Sequence, residues 1–169
     1  MEDQHDLGAI ARSIIDANAY MTLATADGTG RPWVSPVWFA HAGYGEFFWV
    51  SSPEARHSRN LTTRPEVSIV IFDSRAPVGT GQAVYMSTVA EEIRGVDLDR
   101  GIGIFSHRSE AHGAREWTPE NVRPPALHRL YRAAASRHWV LDPAGHPVHG
   151  GALDYRTPVT IGDQAMRRG

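Results

Sequence analysis

The chain has 169 residues, 41% hydrophobic and 21% charged, with a formal net charge of -2. That is the composition of one globular domain, with no overall field to draw in nucleic acid or an anionic membrane surface. Cysteine is absent and all 17 basic residues are arginine, which excludes disulfides, thiolate nucleophiles, sulfur-ligated metals, Schiff-base lysines and P-loop lysines.

Residues 6–18 place Leu7, Ile10, Ile14 and Ile15 near helical spacing among helix-favouring alanines, which predicts a short amphipathic helix. The acidic start MEDQHDLGAIARSIID lacks the basic-then-apolar order of a signal peptide. No stretch reaches the roughly 18 apolar residues of a membrane span, so a cytoplasmic protein with no membrane partner is expected. From YMTLATAD through RPWVSPVWFAHAGYGEFFWVSS, aromatic and β-branched runs are punctuated by glycine-bearing turns, the pattern of three antiparallel strands joined by hairpins. VSIVIFDS and GQAVYMSTVAEEI read as two more strands. With no crossover long enough for parallel pairing among the first four, the strands suit a closed or partly closed barrel. VDLDRGIGIFSHRSEAHGAREW reads as helical, NVRPPA breaks it, and LHRLYRAAASRHWVLD reads as one last strand. The Gly- and Pro-rich stretch from Pro143 onward has no periodic pattern and is expected to be loop. The expected organisation is therefore one domain over 1–142 and a loop-rich tail over 143–169.

Chemistry concentrates between two strands, in SSPEARHSRNLTTRP. Ser51, Ser52, Arg56, His57 and Arg59 fall within a dozen residues. Guanidinium donors with small hydroxyls suit a phosphate, yet the same cluster fits a solvated connection at the rim of a sheet. In VSPVWF, Pro36 cannot donate to a strand ladder. It marks an edge or bulge, open to a ligand or merely guarded against aggregation. His146 with His149, and His107 with His112, have no third ligand at fixed spacing, so no metal site is expected. Gly101-Ile102-Gly103 is too short for a dinucleotide fingerprint, and no G-x-S-x-G elbow occurs.

The order of these elements is similar to the FMN-binding split barrel of the pyridoxamine 5'-phosphate oxidase-like superfamily. The residues that carry the likeness are Leu23-Ala24-Thr25, Gly28 to Pro32, Val34-Ser35-Pro36-Val37-Trp38-Phe39, Arg56 to Leu61, Arg64-Pro65 and Val67-Ser68. The resemblance covers roughly 15–142 and implies a mainly β, antiparallel Greek-key split barrel with flanking helices. It also implies a homodimer with the cofactor at the subunit interface. By that resemblance Val50, Ser51, Arg56 and His57 face the cofactor phosphate, and Ser52, with Arg59 or His57 as the second cation, completes the donor inventory a phosphate needs. Ser35, Pro36, Val37 and Trp38 lie beside the isoalloxazine, Gln82 reaches it by its amide, and Trp139 approaches from the partner subunit. Trp33, Trp38 and Trp49 are expected interface aromatics. Many members of the superfamily carry lysine where His57 stands, which makes this cation titratable.

The implied function is a flavin-dependent oxidoreductase that transfers a hydride between FMN and a small molecule, with no catalytic acid or base singled out. The alternatives are the deazaflavin coenzyme 420, for whose longer acidic tail Arg64, Arg75 and Arg108 are available, and a non-catalytic flavin-binding protein of the same fold. Arg129, Arg132 and Arg137 could be read as substrate-phosphate residues, but the C-terminal pattern differs from that of vitamin B6 synthesis.

Overall fold

A computed structural model of the protein describes residues 6–141 and 155–161. The chain runs α1 (Leu7–Ala17), β1 (Tyr20–Ala26), β2 (Pro32–Trp38), β3 (Ala40–Ala42), β4 (Glu46–Ser51), α2 (Arg56–Thr63), β5 (Glu66–Phe72) and β6 (Ala83–Glu92). It continues with α3 (Asp97–Ala111), a short 3-10 turn at Pro119–Asn121, β7 (Arg129–Ala134), β8 (His138–Leu141) and β9 (Arg156–Val159). The strands follow the path β2-β1-β5-β6-β7-β4-β3, with β8 on β6 and β9 on β8. Every pairing is antiparallel. This is the split barrel with flanking helices expected from the sequence.

Local chemistry fixes the boundaries. Asp6 caps α1, its carboxylate accepting from Gly8 N at 3.0 Å and Ala9 N at 3.1 Å, which satisfies two of the amides a helix start leaves open. The helix turns Ala11 and Ile15, both 0% exposed, onto the barrel. Asp27 closes the β1–β2 turn by accepting from Thr29 N and Arg31 N, and Gly30 supplies the positive φ of 86° that the turn needs.

Alternation then sorts the strands. β1 and β5 send Met21, Leu23, Val67, Ile69 and Ile71 inward. β4 is buried on both faces: Phe47 and Trp49 enter the barrel core, while Phe48 joins Ile102, Phe105 and Leu130 beneath α3. Close packing of α3 depends on Gly101. A Cβ there would lie 2.9 Å from Leu130 Cδ2, 3.2 Å from Phe48 Cε1 and 3.3 Å from Ile93 Cδ1.

The structure corrects four expectations. The aromatic stretch before residue 52 holds four strands rather than three, because the chain breaks at Phe39 between β2 and β3. The single last strand is two. β7 pairs with β4 and with Ala90–Glu92 of β6, whereas β8 pairs with Val84–Met86 of the same strand. The chain must therefore leave the ladder at Ala135–Arg137 and rejoin β6 further along, and the Thr88 hydroxyl donates to Ala134 O at that corner. Within the segment expected to be loop, Arg156–Val159 form β9 and Ile161 is buried in the main core; His146 and His149 lie outside the described residues. Trp49 is fully buried and stacks on Tyr131 with centroids 5.6 Å apart, so it is a core residue rather than an interface one.

Candidate functional site

The segment between β4 and β5 read from the sequence as polar connection contains a helix. Ser52 opens it: its hydroxyl accepts from Glu54 N at 3.1 Å and its carbonyl from Ala55 N at 3.1 Å. Eight residues of α2 follow, held down by Leu61, Ser58 and Asn60, all buried. Asn60 Nδ2 donates to Thr25 Oγ1 at 2.9 Å, and Thr25 Oγ1 donates to Trp33 O at 3.3 Å. This buried chain ties α2 to β1 and β2. Thr25 and Asn60 fall in stretches that carry the family likeness, but neither drew a site role from the sequence, because a lone polar residue carries no sign of burial.

The first turn of α2 carries Arg56 and His57, has no acidic residue and no side-chain cap. Cations at this end oppose the helix dipole and would normally be selected against; an anion there would reverse the sign of the interaction. Arg56 lies over the Trp33 indole, its Cζ 4.4 Å from the ring centroid. Arg59 pairs with Glu54 at 3.9 Å, both largely exposed.

His57 spans the seam of the barrel. Its Nδ1 is 3.2 Å from Ser35 Oγ on β2, and its Nε2 is 2.9 Å from Ser51 Oγ on β4. Burial pushes the imidazole below the usual histidine value of 6.5, so the ring is neutral in the free protein at neutral pH.

The remaining sequence candidates divide. Ser35, Ser51, Arg56 and His57 come together, with Ser52 at the start of the same turn. β2 is an edge strand, paired with β1 alone, so one side of its backbone, interrupted by exposed Pro36, is open. Val37 is 6% exposed and belongs to the core. Trp38 is spent edge-on against Phe105 and His112, and Val50 packs toward the α3 cluster. These three leave backbone rather than side chain for a ligand. Gln82 is half-buried ahead of β6. It neighbours the Phe72 end of β5, whereas α2 leads into the Glu66 end, so within one chain it is remote from His57.

Trp139 lies on the outer face of the sheet, in an open groove of about 450 Å³ with Thr22, Val34, Ser68 and Tyr85. Arg156 stacks over Tyr85 there at 4.4 Å. Tyr20, Val34, Phe72 and Val89 extend this face and are 60%, 56%, 45% and 56% exposed.

Other arginines are engaged elsewhere. Arg108 donates to Asn18 O and lies 4.5 Å over Phe39, Arg64 donates to Gly28 O, and Arg75 pairs with Asp73. Arg132 bridges Glu46, Glu91 and Asp97, while Arg129 pairs with Glu92. Among the described residues no cluster of three or more His, Asp or Glu is placed to hold a metal, and no helix is long and apolar enough to cross a membrane.

Comparison with solved structures agrees with this architecture. A haem binding protein from Mycobacterium smegmatis superposes with a TM-score of 0.69 at 21% identity, over 90% of this chain and 57% of that one. The chain therefore spans little more than half the length of that relative. HutZ, the haem storage protein from Vibrio cholerae, gives 0.60 at 23% identity over 74% of this chain and 87% of its own. An F420 reductase gives 0.56 at 18% identity over 76% and 94%. No curated protein matches the chain. The profile of the pyridoxamine 5'-phosphate oxidase family matches residues 9–140, and with the antiparallel split barrel on which β2, β4 and α2 converge, the chain belongs to the pyridoxamine 5'-phosphate oxidase-like split-barrel family.

Proposed function

We propose that this protein is a flavin-dependent oxidoreductase that holds FMN at the seam between β2 and β4 and works on a small molecule as a homodimer. The observation that carries the reading is the uncapped first turn of α2, which presents Arg56 and His57 where a helix start favours an anion. The fit is chemical. A phosphate dianion needs charged planar donors and short hydroxyls, and Arg56, Ser51 and Ser35 stand within one cluster around His57. A flavin ring needs an open polar edge and an apolar wall, and the free edge of β2 with the exposed Trp33 and Val34 suits both.

A bound flavin supplies the hydride chemistry. In this reading Arg56 and the α2 amides hold the phosphate, the β2 backbone orients the ring edge, and a second copy of the chain excludes water. The apolar outer face from Tyr20 to Trp139 supports that second copy, because an antiparallel sheet face open to water normally carries polar side chains. Coenzyme 420 is the alternative cofactor, since an F420 reductase is among the structures with this fold.

The test is the absorbance spectrum of the purified protein, followed by titration with FMN, coenzyme 420 and haem, read by tryptophan fluorescence. Trp33 beneath Arg56 is the expected reporter. Saturable FMN binding, with reduction of the bound flavin by a nicotinamide donor or a substrate, supports the reading. Binding of FMN without turnover turns it into a carrier. Binding of haem alone, the ligand for which two of the similar structures are named, overturns it.

A further inference from the structure

We propose that the seam site takes up a proton together with its anion, because the Ser35–His57–Ser51 relay offers the ligand one free hydroxyl proton when the imidazole is neutral and two when it is protonated. This rests on the cofactor-phosphate reading above and adds control of that site by pH.

The argument is a count of protons. A neutral imidazole has one N–H and one lone pair. With Nδ1 at 3.2 Å from Ser35 Oγ and Nε2 at 2.9 Å from Ser51 Oγ, one serine must donate its proton to the ring while the other accepts from it. Only the accepting serine keeps an O–H for a ligand. In the imidazolium both nitrogens donate, both serines accept, and each hydroxyl proton is released toward the seam. One protonation therefore adds a second donor and a full positive charge at the same place.

The surroundings leave His57 free to make this change. On α2 itself the neighbours are Arg56, stacked on Trp33, and Arg59, paired with Glu54 from the preceding turn. β2 contributes Ser35 and Trp33, and β1 contributes Thr25, bonded to Asn60; none of these is charged. Across β4, Arg129 of β7 stands opposite Ser51 in register, but its guanidinium is held by Glu92 and by the carbonyls of Ala126 and His128. No carboxylate stabilises the imidazolium, and burial is the cause of its lowered pKa. An arriving phosphate dianion is then the charge that tips the ring into its protonated form.

The sign follows from linkage. Anion binding raises the His57 pKa, so the site's affinity for the phosphate dianion is highest at low pH. It falls by up to about tenfold per pH unit as pH rises between the free and the bound values. A lysine at this position would show no such fall near neutrality.

The experiment is calorimetry of FMN binding to the full chain in buffers of different ionisation enthalpy, with riboflavin as the phosphate-free control and His57→Gln as the variant that cannot titrate. In parallel, the imidazole signal absent from His57→Gln is titrated by NMR with and without inorganic phosphate. The expected result, at a pH above the phosphate's second pKa of about 6, is net proton uptake with FMN, none with riboflavin, and no uptake in His57→Gln, where a cationic site can only draw a proton off the phosphate. The His57 pKa should rise with inorganic phosphate. Equal uptake by parent and variant would overturn the relay while leaving FMN binding intact. Failure of FMN to bind, with phosphate still raising the His57 pKa, would instead overturn the cofactor reading and leave the relay standing. No movement in either experiment would overturn both.

Discussion

Two glycines of α3, two residues apart, should respond in opposite directions to the same substitution. Gly103 is exposed and a Cβ there meets nothing within 4 Å, so Gly103→Ala should stabilise the fold by about 0.5–1 kcal/mol through helix propensity alone. Gly101→Ala gains the same propensity. Its methyl group, however, would come within 2.9 Å of Leu130 Cδ2, 3.2 Å of Phe48 Cε1 and 3.3 Å of Ile93 Cδ1. Leu130 and Phe48 are 0% exposed and Ile93 5%, so none can swing into solvent, and overpacking of this kind costs roughly 1–3 kcal/mol. The two variants should therefore differ by about 1–3 kcal/mol, with Gly101→Ala the weaker. Urea unfolding followed by far-UV circular dichroism, at one fixed protein concentration, measures the difference. Each kcal/mol also appears as roughly 2–4 °C in Tm. If the two variants are equally stable, α3 does not approach β4 and β7 as closely as described, and the reasoning about its packing fails.

Arg56→Ala should weaken FMN binding by about 2 kcal/mol, roughly thirtyfold, the scale of a lost charge-assisted contact; fluorescence titration checks it, and riboflavin affinity should change much less. Asn60→Ala removes the donor to Thr25 from a site where both residues are buried. It should cost about 1–3 kcal/mol in urea unfolding, and an unchanged midpoint would mean that α2 is anchored by Leu61 alone. His41, His57 and His138 are all held below 6.5, burial being the largest cause in each. Their folded forms bind fewer protons than the unfolded chain, so the stability they contribute is present above 6.5 and is lost as pH falls below it. Moving from about pH 7.5 to about pH 5.5 should lower the urea midpoint. The drop should shrink in His138→Phe, whatever that variant's own stability, and a midpoint unaffected by pH would refute the assignment.

Periodicity made most of the architecture readable. The alternation in β1 and the apolar stripe of α1 are strong local signals, and Asp27 to Gly30 announce their turn. α2 was not readable as a helix because eight residues rich in Arg, Ser, Asn and Thr have little helix propensity. It persists because Leu61 and Asn60 are buried. The break between β7 and β8 was hidden for another reason. Ala133-Ala134-Ala135 continues a strand pattern smoothly, and only the partner strand, which offers β7 and β8 two separate stretches, dictates the corner. The site was legible as composition, in Arg56, His57 and the two serines. Its geometry was not, since the contact between Ser35 and His57 bridges 22 positions of sequence. The nearly continuous apolar run of β5 hides its outer face, on which Ser68 and Phe72 are exposed.

The seam that His57 crosses joins strands from opposite ends of the hydrogen-bonded path, β2 first and β4 next to last. Its width is thus the accumulated twist of every strand between them, as the gap in a split ring depends on the curvature of the whole ring. β6 sits at the middle of that path, lending one edge to β5 and the other to β8 and β7, so neither half of the ring can relax alone. A ligand that bridges the gap should be felt as slower amide exchange in β6, far from any atom it touches.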